Sequence, residues 1–398
     1  MQNVTISTDT SQEENVGQTT FLDPGPEAFF ETLEKDIRVF ARNLITKTIR
    51  DEFDQFVGAK SYERVEDRDD YRNGFRYRDF ETRFGTMEDI PIPRARKRSF
   101  HPRLFLRWRR RENKITRLLA SFFIHGISTR KVKVLSKTLW GKEYSASTVS
   151  RSNRILQEEY LRWMNRRIER PVVYLFLDAV NLKLRRHWVS KESLLCAIGI
   201  NDKGEKEFLG FLLGGRESTQ SWETLLEQLL VRGLSTEGLK LVTVDGNPGL
   251  LRAINTLLPG ISIQRCIVHK IWNVIGKCPR NLKGLVPAEM KGIFYATNHA
   301  EALERFQAFK GRWQHQIPGV VECVEKDLDT VFSFYAFPYR HWPLIRSTNV
   351  IERAFKEFRR RIKVMETFPN EASCLRIMFS LAKLLNENWK YKPVKNFL

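Results

Sequence analysis

Apolar positions recur along this chain with periods that change from segment to segment. From Pro26 to Gly58, Phe29, Phe30, Leu33, Ile37, Phe40, Ala41, Leu44 and Ile45 return at helical spacing and predict an amphipathic helix, broken at most once. Core packing and dimerisation account for such a face equally well. Around Tyr71 the period drops to two: Phe75 and Tyr77 alternate with Arg76 and Arg78, and a Gly85-Thr86 turn leads into Met87-Glu-Asp-Ile-Pro-Ile-Pro. That pattern predicts a β-hairpin with one basic face. Three short helices follow. The first spans Asn113 to His125 and is closed by Gly126; the second, N-capped by Ser128, carries Val132, Leu135 and Leu139; the third runs from Ala146 to Glu159.

From Pro171 the texture becomes that of a sheet. Pro-Val-Val-Tyr-Leu-Phe-Leu-Asp predicts a buried strand ending at Asp178, Asn181 to Val189 a second, and Ser193 to Ile200 a third, which turns at Asn201-Asp-Lys-Gly into Glu207 to Gly214. A helix from Thr219 to Val231, a strand ending at Asp245, a helix from Pro248 to Leu258 and a strand from Ile261 to Val268 complete the run. A meander followed by helix, strand, helix, strand predicts an α/β fold with a ribonuclease H-like mixed sheet. Residues about 269–340 read as an all-helical insertion, followed by helices from Asn349 to Met365 and Asn370 to Trp389. The predicted organisation is a disordered acidic leader over 1–25, a mainly helical region over 26–165, and a catalytic domain over 166–398.

Composition narrows the function. With 42% hydrophobic and 12% aromatic residues among 398, the chain has ample core and is no disordered polypeptide. Lys and Arg number 67 against 47 Asp and Glu, a net charge of +20 that points to a polyanion as partner. The charge is concentrated. Between Arg94 and Lys114 lie ten Lys or Arg, among them Arg94, Arg96, Lys97, Arg98, Arg109, Arg110 and Arg111, against the single acid Glu112. Phe100, Phe105 and Trp108 are interleaved, and phosphate contact is expected here rather than a merely solvated face. Beside this tract the three helices over about 113–159 read as a helix-turn-helix, with an ordinary three-helix core as the alternative. The third helix would present Ser147, Thr148, Ser150, Arg151, Asn153 and Arg154 to base edges in a major groove. Five scattered cysteines suit a reducing compartment. No signal peptide is visible and no apolar run reaches the ~18 residues of a membrane span, so a cytoplasmic, nucleoid-associated protein is expected.

Two carboxylates stand out. Asp178 and Asp245 each end an apolar strand, and open α/β sheets bind their ligands beyond such ends. A lone Asp there is commonly a turn-former; two at equivalent ends, in a protein charged to bind polyanions, predict a site for Mg²⁺ or Mn²⁺. The third acid is expected on the helix after Ser347-Thr-Asn-Val-Ile. At ~100° per residue, Ile351, Phe355, Phe358 and Ile362 form a packing stripe, while Glu352, Lys356, Arg359 and Lys363 share the adjoining face. Glu357, the rival acid, lies off that face. Cys266 and His269 form half of a zinc motif whose other half is missing, since the spacings of Cys278, His299 and His315 fit no usual second pair. A structural role is expected instead.

The strings LFLDAV, VTVDG, QRCIVHKIWN and STNVIERAFKEFRRR, with GISTRKV and STVSR upstream, resemble the Mutator-type transposases of bacterial and archaeal insertion sequences, members of the DDE superfamily. The resemblance extends from about Tyr71 to Trp389. It implies a catalytic triad at Asp178, Asp245 and Glu352, the family's Cys-x-x-His motif at Cys266 and His269, and recognition of terminal inverted repeats in double-stranded DNA. The chain departs from the pattern in a short segment after Asp178 and in Asp245-Gly-Asn-Pro-Gly, which replaces a more usual Lys-containing loop. The reaction implied is phosphoryl transfer with two metal ions about 3.5 to 4 Å apart: water cleaves at the element end and the freed 3′-hydroxyl attacks target DNA. Holding two ends together implies a homodimer or larger assembly. A catalytically silent DNA-binding regulator and a ribonuclease H-like nuclease are the competing functions.

Overall fold

A computed structural model describes residues 25–105, 111–124, 127–152, 155–214, 216–363, 367–395 and 397. Nearly all of the acidic leader, together with Arg109, Arg110, Asn153 and Arg154, lies outside the described residues. The chain divides into two compact units, residues 1–115 with 139–142, and residues 116–138 with 143–398.

In the first unit the helix read from the sequence forms without a break as α1 (Gly25–Val57). Its C-terminal part buries Ile49, Phe53 and Val57 with Met87, Ile90, Ile92, Phe100 and Phe105, whereas Phe29, Phe30, Phe40 and Leu44 nearer its start are exposed. The hairpin pairs β1 (Arg72–Thr82) antiparallel with β2 (Gly85–Ala95), and Gly85 turns the chain at φ +112°. Asp70 is wholly buried and satisfied, its carboxylate accepting the N–H groups of Tyr71, Lys97 and Arg98 at 2.7, 3.0 and 2.8 Å. The start of the basic tract is thereby fixed in the backbone, while the side chains of Arg94, Arg96, Lys97 and Arg98 remain exposed.

The first two predicted short helices appear as α2 (Asn113–Ile124) and α3 (Thr129–Trp140), and the third, read from Ala146 to Glu159, is covered by α4 (Ala146–Ser152) and the start of α5 (Ile155–Met164), on either side of residues 153–154. In the second unit Ser136 of α3 accepts the N–H of Tyr144 at 3.2 Å, and Val132 and Val149 are fully buried. Ser147 and Arg151 stand on the exposed side of α4. Tyr160 and Trp163 of α5 pack on Phe211 and Phe379.

The central sheet has five strands in the order β5-β4-β3-β6-β7. β3 (Val172–Arg185), β4 (Val189–Asn201) and β5 (Lys206–Gly214) form an antiparallel meander, and β6 (Leu241–Val244) and β7 (Ser262–Arg265) run parallel to β3. Two sequence expectations need correction here. The strands expected to end at Asp178 and to restart at Asn181 are one strand, so Asp178 lies inside β3. The last strand stops at Arg265, and Ile267 and Val268 open a helix instead.

Alternation along β3 sends Tyr174, Phe176, Val180 and Leu182 into one core and Val172, Leu175 and Leu177 into another. The second core is closed by α6 (Thr219–Val231) and α7 (Pro248–Leu257), which contribute Trp222, Leu226, Leu250 and Ile254. Over the first core lies the helical insertion, α8 (Ile267–Lys277), α9 (Leu285–Phe294), α10 (His299–Trp313), α11 (Pro318–Glu325) and α12 (Leu328–Phe332), then α13 (Trp342–Ile345), α14 (Asn349–Ile362) and α15 (Glu371–Lys390). Buried polar side chains tie these helices to the sheet edge. Thr243 donates to Ile345 O at 2.9 Å, and the amide of Gln264 serves Val331 O and Phe334 N, each at 2.8 Å. Ile351, Phe355 and Phe358 of α14 are buried, each stabilising by about 1.5–3 kcal/mol, which leaves the adjoining face of the helix free for polar work.

Candidate active site

The parallel register fixes the first two acids. Leu177 is opposite Val244, so Asp178 and Asp245 are the next residues on neighbouring strands, level at the point where β6 ends. By strand parity Asp178 shares the face of Phe176 and Val180, which is covered by α14. Glu352 lies in the first turn of that helix, partly exposed, on the face adjoining buried Ile351 and Phe355. Lys356 and Arg359 are exposed farther along α14, and Lys363 at its C-cap. Glu357 is bound to Arg360 at 2.8 Å.

The acids lie near enough to affect one another. Asp178 is 9% exposed, and its carboxyl is pushed up to about 7, by burial first and then by the negative charge of Asp245, with a smaller push from Glu352. The Ala179 N–H, donating to it at 2.7 Å, and the nearby His269 pull the other way. Like-charge crowding at a buried carboxylate is what a divalent cation relieves, and the three side chains offer hard oxygen donors that suit Mg²⁺ or Mn²⁺.

Cys266 occupies the N-cap position of α8 without a side-chain capping bond, and His269 lies in that helix's first turn. The Cys266 sulfur accepts the Thr348 N–H at 3.4 Å and a hydrogen bond shared with His269; these outweigh burial and hold the thiol below its usual range. The same bond is the main reason His269 is raised to about 9, against desolvation and with help from Asp178 and Glu352. His269 Nε2 stands 3.7 Å from a Glu352 oxygen, which also accepts the Thr348 hydroxyl at 3.3 Å. Potential ligand atoms of Cys266, His269 and Glu352 lie within 4.8 Å of one another. Hydrogen bonding already accounts for this group: it braces the start of α14, and so Glu352, against the start of α8.

A family model described as "Transposase, Mutator family" matches residues 27–392. The chain is 34% identical over 354 residues to the transposase for insertion sequence element ISRM5 of Rhizobium meliloti, covering 89% of this chain and 88% of that protein. It is 32% identical over 373 residues to the transposase for element IS905 of Lactococcus lactis, covering 92% and 94%. It is 34% identical over 345 residues to the transposase for element IS256 in transposon Tn4001 of Staphylococcus aureus, covering 86% and 87%. The chain belongs to the Mutator family of transposases.

Three residues of this Mutator-family transposase escape sequence reasoning. Thr348 links Cys266 to Glu352, but Ser-Thr-Asn before a helix reads only as a cap. Glu217 accepts from Asn247 Nδ2 at 3.0 Å and is raised by burial and by Asp245, though its Arg-Glu-Ser context carries no motif. Trp272 stands exposed with its ring 5.1 Å from that of His269. Among the described residues no helix is long and apolar enough to cross a membrane, and all five cysteines are free.

Replacing Cys266 by Ser removes the sulfur acceptor from a buried position. The expected cost is about 1–3 kcal/mol of stability, with activity falling alongside and less than stoichiometric zinc in the purified protein. Elemental analysis near one zinc per chain, lost together with folding on chelation, would make the pair a metal anchor instead.

Proposed function

We propose that this transposase is a DDE enzyme with a ribonuclease H-like catalytic domain over residues 166–398 and a DNA-binding region over 26–165, acting on the terminal inverted repeats of its element. What supports the reading most is the placement of Asp178 and Asp245 side by side where β6 ends, with Asp178 raised by burial first and then by the charges of Asp245 and Glu352. The sheet supports it, since an antiparallel meander joined by two strands parallel to its first is the order expected of that fold. On this reading Asp178, Asp245 and Glu352 hold Mg²⁺ or Mn²⁺. The bound metal supplies a lowered pKa for the attacking hydroxyl and charge neutralisation at the scissile phosphate. The chain's own part is to converge three carboxylates, to keep Glu352 in place through Thr348 and His269, and to offer phosphates the cationic face of Lys356, Arg359 and Lys363. No protein nucleophile is required.

The helix-turn-helix reading gives Ser147 and Arg151 of α4 to base edges, and Arg94, Arg96 and Lys97 to the DNA backbone. Arg98 is partly committed elsewhere, lying over the Phe56 ring and 3.7 Å from Asp70. Arg111 pairs with Glu81 at 3.2 Å, so the tract's interior contacts are structural as well. Arg151→Ala is expected to cost about 1–3 kcal/mol of discrimination between end and random duplex, whereas Arg96→Ala should weaken both alike and reduce the salt slope by about one. Unchanged discrimination in Arg151→Ala would remove α4 from the recognition surface.

Function is tested by incubating the full chain with duplexes carrying the element's own ends, target DNA and Mg²⁺, then mapping products. Cleavage at the ends and covalent joining to target are expected. Cleavage without joining would mark a nuclease, and end binding without cleavage a regulator.

A further inference from the structure

Val244 and Arg265 are opposite one another on β6 and β7, so Arg265 is level with the residue that precedes Asp245. Gly246 follows Asp245 with φ +98°, and a Cβ there would collide with the Arg265 guanidinium. The planar group therefore lies directly against the Asp245–Gly246 turn, in space that is open only because residue 246 has no side chain. Its other partner is Asp327, immediately before α12 in the helical insertion, and Asp327 also receives the ammonium of Lys270, whose side chain is 2% exposed. The turn continues through Asp245, which accepts the Asn247 N–H at 3.0 Å, and Asn247 then caps α7. The arrangement is costly, because Arg265 Nε is buried without a hydrogen-bond partner. Stability alone favours an apolar residue where two cations share one acid.

We propose that Arg265, braced by Asp327, is a positioning residue for the Asp245 carboxylate, so that the helical insertion and the metal site are coupled. This rests on the reading of Asp245 as a metal ligand. Groups that orient ligands from behind alter metal affinity by about 10–100-fold when removed. Arg265 differs from them in reaching the ligand through its backbone turn, held by a carboxylate that belongs to the insertion.

Binding of Mn²⁺ to the full chain, followed by loss of the free-ion electron paramagnetic resonance signal, measures this without catalysis. Asp245→Asn is the reference and is expected to abolish the tightest binding. Arg265→Gln is expected to weaken it about tenfold or more, Asp327→Asn and Gly246→Ala several-fold, and Arg265→Lys, which keeps the charge, less than Arg265→Gln. Thermal melts without metal and gel shifts with end DNA run alongside. Should Arg265→Gln fail to fold, Asp327→Asn and Gly246→Ala carry the test, because neither removes the guanidinium. Weak Mn²⁺ binding in Asp245→Asn with wild-type affinity in folded Arg265 and Asp327 variants overturns the positioning role. Wild-type affinity in Asp245→Asn, or no uptake by the wild-type chain, overturns the metal reading itself.

Discussion

Asp178→Asn, Asp245→Asn and Glu352→Gln are each expected to reduce end cleavage and joining by about a thousandfold or more, roughly 4 kcal/mol of barrier at about 1.4 kcal/mol per decade, with end binding nearly unchanged. Each replacement keeps the shape of the side chain and removes one anionic donor from a set whose members already act on one another electrostatically. Because the three serve one function, a double variant should be hardly worse than a single one. Glu357→Gln is the internal control. That acid is engaged with Arg360 on another face of α14, and its loss should leave activity within about twofold, the scale of an exposed ion pair. Strand-transfer and gel-shift assays in parallel separate catalysis from binding. Full activity in any one of the three variants would remove that residue from the set.

That Asp178 and Asp245 follow apolar runs of neighbouring strands is legible in the sequence for a reason that the strands make plain, and the same reason explains why the expected strand boundaries differ from those observed. Residues 172–177 of β3 face a core on both sides, so they read as an uninterrupted apolar run. Beyond Asp178 the parallel neighbour has ended at Val244, and only Val180, Leu182 and Leu184 stay buried, on one side. A change from two covered faces to one looks like a break, with Asp178 as its end, although hydrogen bonding to β4 continues to Arg185. Ile267 and Val268 misled in the opposite sense. Their β-branched pattern predicts strand, but tertiary burial of Ile267, Ile271 and Val274 at helical spacing wins over local preference. The face of α14 was readable because its period is internal to a single helix. What joins Arg265 to Gly246, or Thr348 to Cys266, is lateral register between segments about 20 and 80 residues apart, and one sequence holds no record of that.

Protonation of Asp178 should set opposite pH trends for stability and for metal binding. Its folded-state pKa of about 7 stands above the ordinary 3.8, so between these values the native chain keeps a proton that the unfolded chain has released. Stability of the metal-free protein therefore falls as pH rises from about 4 to 7, by on the order of 4 kcal/mol for about three units at 1.36 kcal/mol each, and is level in this term above 7. His269 acts at the other end. Raised to about 9, it contributes stability present below 6.5 and lost as pH climbs through 9. Melts of the chelated protein should accordingly decline between pH 5 and 7, and Asp178→Asn should flatten that decline and melt higher than wild type at pH 7.5 while being inactive. Added Mn²⁺ should raise the melting temperature markedly at pH 7.5 and little at pH 5, where it must displace the proton. An equal decline in wild type and Asp178→Asn would assign the pH dependence to another group. The prediction ties instability to activity: on the proposed reading, the burial and like-charge crowding that make Asp178 costly to ionise without metal are what a divalent cation there would offset.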